Sequence, residues 1–159
     1  MIEISLEPLL TTIQNEFKTD WNGLHGIHHW NRVLGHGIRI AKKRNADLDV
    51  VTLFALLHDS CRWSDGYDSR HGERGAEFAY GLNGKLFCLD DFQLNDLCFA
   101  IRHHSGGEIS TNPTIQTCWD ADRLDLGRVG TRPSAQFLSD IASKMIDDAY
   151  KLSIRRIPL

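Results

Sequence analysis

Apolar residues recur at three- and four-residue intervals along nearly the whole chain, the spacing that gives an α-helix one oily face. Leu6, Leu9, Leu10, Ile13 and Phe17 make the first stripe, and Trp21 to Gly26 form a turn-rich break after it. A second helix is expected from about His28 to Arg44. Asp47 or Asp49 can cap a third, "VVTLFALLHD", which has no polar face until its end and therefore belongs at the centre. "RHGERGAEFAYGL" reads as a fourth helix ended by glycines. "DDFQLNDLCFAIRHH" reads as a fifth, with aspartates where the helix dipole favours them and "SGG" as its stop. Pro113 opens a sixth, "PTIQTCWDADRLDL", and Pro133 a last one at about 133–153. The stretch from Ser64 to Ser69 is the most irregular, and no segment alternates with the period of two of an exposed-face strand. The expected fold is all-α, a bundle of about six to seven helices forming a single domain over 1–159.

Composition narrows the class without changing the fold. A chain of 159 residues can bury a real core, and 42 % apolar with 25 % charged residues suits a soluble globular protein. A formal charge of −3 gives no reason to expect a nucleic-acid polymer or an acidic membrane surface as partner. No apolar run approaches the ~20 residues of a membrane span. "MIEISLEPLL" carries Glu3 and Glu7 and no basic start, so it does not read as a signal peptide, and a cytoplasmic protein is expected. Cys61, Cys88, Cys98 and Cys118 form no Cys-x-x-Cys pair, which disfavours a structural zinc site or a disulfide framework.

The chemistry lies where polar residues break apolar faces. His58 and Asp59 end the buried third helix, a costly place for both unless they are paired or bind metal. At about 100° per residue, His29, Val33, His36 and Ile40 share one face of the second helix, so His29 points inward and His28 does not. Arg32, one turn on, can meet an anion or a supporting carboxylate. His104 follows Leu97, Ala100 and Ile101 on the buried face of the fifth helix, with His103 turned away. In the sixth, Asp120, Asp122 and Asp125 interrupt apolar residues closely enough for one to point inward. Singly each has a plain alternative: a helix-end His before a turn Asp, or a solvated acid. Together, four helices each offer an inward His or Asp, which is how helical bundles build metal sites. Imidazole and carboxylate without thiolate suit Mn, Fe, Co, Ni or Zn, with Mg possible.

The ordered set resembles the HD-domain superfamily of metal-dependent phosphohydrolases. His29 in "HHWNRV", His58-Asp59 in "LLHDS" and Asp122 in "DADRLD" match its His…His-Asp…Asp pattern, and the likeness spans about 24–130. His71 in "RHGERGAEFA" and His104, or alternatively His103, in "AIRHHSGG" are similar to the added histidines of members that hold two metals. The resemblance implies an HD-type bundle with one or two divalent ions per chain. Asp59 would bridge them, with His29, His58 and Asp122 on one and His71 and His104 on the other. Some single-metal nucleotidases of the superfamily place an acid shortly after His-Asp; here "SCRW" stands there, with Arg62. That departure favours activation of water by the metals themselves. Asp59, Arg62 and Arg123 are the expected catalytic set, the arginines holding phosphate oxygens, with Arg32, Arg74 and Arg128 as further candidates or surface ion-pair partners. Asp120 is a candidate to orient a ligand His, and His25 a pocket-edge group. Trp63 and Tyr67 would stack on a base or simply pack. The function implied is hydrolysis of a nucleotide or other small phosphoester by a monomer or homodimer. The alternatives are a di-iron oxygenase on the same scaffold and a non-catalytic metal-binding regulatory module.

Overall fold

A computed structural model describes residues 2–155 and is all-helical. Six longer helices follow the apolar stripes: α1 (Leu6–Glu16), α2 (Ile27–Arg44), α3 (Leu48–Leu57), α4 (His71–Leu82), α5 (Asp91–His103) and α6 (Pro113–Leu124). Their ends obey local chemistry. Asn45 adopts a left-handed φ of 54° and stops α2, and the Asp47 carboxylate then accepts from the Asp49 and Val50 amides to start α3. Asp90 and Gln93 form a reciprocal capping box on α5, and Asn112 caps α6 ahead of Pro113.

α3 is the central element. Val50, Val51, Leu53, Phe54, Ala55, Leu56 and Leu57 are all buried, and the helix touches α2, α4, α5 and α6. The apolar pattern on all sides of the segment is thus met by neighbours on all sides. α2 packs along α3 and α6, and α4 along α5. Trp30 and Trp119 are the largest fully buried side chains; the Trp119 indole N–H donates to the Ala100 carbonyl at 2.9 Å. Phe17, Trp21 and Trp30 meet edge to face where α1 and the following turn fold back on α2.

The continuous last helix expected from Pro133 does not form. The chain instead makes 3₁₀ turns at Leu126–Val129 and Ala135–Phe137, then short α7 (Asp140–Ser143) and α8 (Ile146–Ser153). The side chains of α6 claim the backbone that a helix would have used. The Phe137 carbonyl accepts from Arg123 at 2.7 Å and Gln116 at 3.3 Å, and Asp120 accepts from the Ser139 amide and hydroxyl. Ser139 then caps α7. Among the described residues no helix is long and apolar enough to cross a membrane.

Candidate metal centre

Five elements deliver their chemistry-bearing residues to one buried point. His58 and Asp59 follow the last apolar turn of α3; His29 comes from α2, His71 from the first position of α4, His104 from the end of α5 and Asp122 from α6. All six are buried. Gly72 makes one of these approaches possible. A Cβ there would lie 2.7 and 2.8 Å from the Arg102 and Ile101 carbonyl oxygens, so only glycine lets the start of α4 abut the end of α5. That abutment brings His71 Nε2 to 2.9 Å from His104 Nε2.

Asp59 stands in the middle. Its Oδ2 lies 3.7 and 3.6 Å from the Nε2 atoms of His29 and His58, and its Oδ1 lies 3.4 Å from those of both His71 and His104. Asp122 Oδ1 is 3.4 and 3.7 Å from His29 and His58 Nε2, and it is buried without a hydrogen-bond partner. Two sets of ligand atoms, His29–His58–Asp59 and Asp59–His71–His104, each fall within 4.8 Å of one another.

The tautomers decide what this cluster can hold. Each histidine directs Nδ1 at an atom that only accepts: Asp125 for His29, and the Phe54, Asp68 and Ile101 carbonyls for His58, His71 and His104. Each neutral ring therefore keeps its proton on Nδ1 and its one lone pair on Nε2. Yet those Nε2 atoms face each other in pairs, at 3.0 Å for His29 and His58 and 2.9 Å for His71 and His104. Converging lone pairs around a carboxylate fit a cation, and the donor set fits a divalent metal. Burial holds His58 neutral, its pKa lowered to about 3. Burial and the neighbouring His104 lower His71 as well. Burial would raise Asp59 and Asp122, but the surrounding imidazoles, with Arg128 beside Asp122, hold both carboxyls below the usual range. His104 is raised, burial being outweighed by Asp59.

Supporting contacts partly differ from expectation. Asp125 rather than Asp120 orients a ring of the cluster, accepting from His29 Nδ1 at 2.7 Å while Arg32 binds both its oxygens at 2.6 and 3.0 Å. Arg32 thus meets a carboxylate, as its position allowed. Asp120 ties α6 to Ser139, Gln116 and Arg44. Asp125 was legible only as one of three acids, because it lies just past the end of α6, where helical phase no longer fixes direction. Of the paired histidines, His104 joins the cluster while His103 packs on the Phe99 ring, 4.5 Å between centroids. His28 is half-buried, and His25 pairs with Asp65 at 2.8 Å.

A cavity of about 260 Å³ opens onto Asp59, Asp122 and His104. Arg62, Arg123 and Arg128 line it, with Leu126 and Phe137 among its apolar walls. Arg123 donates through Nη1 to the Phe137 carbonyl, and its Nη2 is buried without a partner. Arg128 is held by the Leu24 and Asp125 carbonyls, which leaves Nη2 at 3.7 Å from Asp122 Oδ1 and 4.0 Å from Asp59 Oδ2. Arg74 is instead engaged with Asp68, the Cys61 carbonyl and the Trp63 face. Trp63 and Tyr67 do not line the cavity; Tyr67 is 94 % exposed. Phe137 lines the cavity instead, hidden from the periodicity by the irregular segment that carries it.

A helical bundle with His29, His58-Asp59 and Asp122 at its centre defines an HD-domain protein. The HD-domain family model matches residues 26–140, and the chain belongs to that family. It is similar to a predicted HD superfamily hydrolase from an uncultured Thermotogales bacterium, known from a crystal structure. The two are 31 % identical with a TM-score of 0.72, over 95 % of this chain and 88 % of that one. No curated protein matches the chain significantly.

Proposed function

We propose that this chain is a metal-dependent phosphohydrolase acting on a small phosphoester such as a nucleotide. The observation that carries the reading is the pairing of two features: imidazole lone pairs converging on Asp59, and three arginines lining the adjoining cavity. His29, His58, Asp59 and Asp122 would hold one divalent ion, with Mn, Fe, Co, Ni or Zn suiting the donors; Asp59, His71 and His104 form the set for a second. When bound, a divalent ion supplies a Lewis acid and brings the pKa of water toward neutrality.

The chain's own residues do the rest. The unpartnered Arg123 Nη2 and the Arg128 Nη2 offer donors to phosphate oxygens. Arg128, beside Asp59 and Asp122, would hold the phosphorus close to the ligand carboxylates, whose negative charge otherwise repels it. Leu126 and Phe137 place apolar walls beside these donors. The four free thiols suit a reducing, cytoplasmic setting. The similarity to a predicted hydrolase points the same way.

Profiling a panel of nucleotides and phosphoesters on protein of measured metal content tests the reading. Anaerobic turnover with Mn or Co is expected. A strict need for iron and O₂ would point instead to oxygenase chemistry and overturn it.

A further inference from the structure

Arg62 stands among the ligand atoms although it cannot coordinate a metal. Three residues after Asp59, it is only 9 % exposed. Its Nη1 lies 3.4 Å from Asp59 Oδ1 and 3.2 Å from His71 Nε2. Nε and Nη2 donate to the Ser64 and Gly66 carbonyls at 3.2 and 2.9 Å, so the loop clamps the guanidinium in place.

His71 sends Nδ1 to the Asp68 carbonyl and therefore has one lone pair left, on Nε2. Arg62 Nη1 donates toward it at 3.2 Å, with His104 Nε2 on its other approach at 2.9 Å. A metal ion at about 2.0–2.1 Å from the same nitrogen would need that same lone pair. The guanidinium is also permanently charged, so it repels a cation at Asp59 Oδ1 as well. In the other half Arg128 also brings a guanidinium near the carboxylates, at 4.0 Å from Asp59 Oδ2, but among the described contacts no guanidinium hydrogen-bonds a ring Nε2 there. Arg128 Nη2 comes no nearer than 3.7 Å to Asp122 Oδ1 and hydrogen-bonds neither His29 nor His58.

We propose that the two halves of the centre are unequal: His29, His58, Asp59 and Asp122 retain an ion firmly, whereas Arg62 competes with a second ion for His71 and Asp59. This rests on the metal-centre reading above. A second ion enters only when Arg62 leaves its two loop carbonyls, a local move that does not require α4 to unfold. In its ordinary state the centre combines one divalent ion with one guanidinium, and Arg62 is a positioning residue for metal occupancy rather than a clamp on substrate.

The test is metal stoichiometry. Chelator-stripped protein is titrated with Mn²⁺, followed by calorimetry and by metal analysis after desalting. Wild type should retain one equivalent, with a second bound at least about tenfold more weakly. Arg62→Met should retain two, its second site strengthened at least about tenfold and its first unchanged. Arg62→Met combined with His71→Ala should return to one, placing the gained ion at His71. Circular dichroism checks folding, and Arg62→Gln serves if the Met variant does not fold. Two equal sites in wild type, or no gain on removing Arg62, would overturn the proposal while leaving the metal-centre reading intact. No retained ion in either protein would overturn that reading and the proposal with it.

Discussion

Asp120 accepts from Gln116 and Ser139 on one side of α6, whereas Asp125, just past the helix, accepts from His29 and Arg32. Their replacement should therefore separate two properties. Asp125→Asn removes the anion that fixes the His29 tautomer, and metal affinity should fall about 10- to 100-fold with the helical signal kept. Competition against a fluorescent chelator measures this. Asp120→Asn should leave metal affinity unchanged and lower the unfolding free energy by about 1–3 kcal/mol, read from denaturant midpoints. Equal metal affinity in both variants would contradict the assignment. At this scale the clustering itself was legible: inward helical phase and motif context select His29, His58, Asp59, His104 and Asp122, which the fold brings together. What one aspartate does for another residue's ring was not, because Asp125 and His29 are joined across 96 positions of chain. The same holds for Arg62, whose partners are set by the path of the loop from Ser64 to Gly66.

Close approach between elements places His71. With Arg102 O and Ile101 O inside 3 Å of any Cβ at position 72, Gly72→Ala must push α4 off the end of α5. It should destabilise the protein by about 1–3 kcal/mol and weaken only the metal set that contains His71. Denaturant titration together with metal analysis checks both effects; a variant as stable as wild type would refute the close packing. Six helices were readable from the 3.6-residue period, and Asp47 from its capping chemistry. The tail was not. Local sequence after Pro133 favours a helix, but Ser139 and Phe137 bond to side chains 14 to 21 positions back, on α6. Such bonds leave no trace in a local pattern.

Across the whole molecule, burying imidazoles makes stability depend on pH. His25, His36, His58 and His71 all have lowered pKa values, chiefly from burial; His104 alone is raised, burial being outweighed by Asp59. The unfolded chain takes up protons near 6.5 that the four folded rings refuse. Stability therefore rises with pH from about 3, the value for His58, to about 6.5, whereas the contribution of His104 is present below about 6.5 and is lost as pH rises above it. Metal-free protein should have a lower denaturation midpoint at pH 5 than at pH 7.5, each refusing ring contributing up to about 1.4 kcal/mol per pH unit. An equal or higher midpoint at pH 5 would contradict this balance. Asp59 joins the charge of the whole centre, since all four imidazoles and Arg62 face its two oxygens. The most direct measurement is accordingly the metal content of Asp59→Ala beside wild type, with phosphoester hydrolysis followed on the same samples. Wild type should retain at least one divalent ion and turn over substrate, and the variant should lose both while keeping its helical spectrum. A folded Asp59→Ala protein that still holds its metal and hydrolyses substrate would contradict the account.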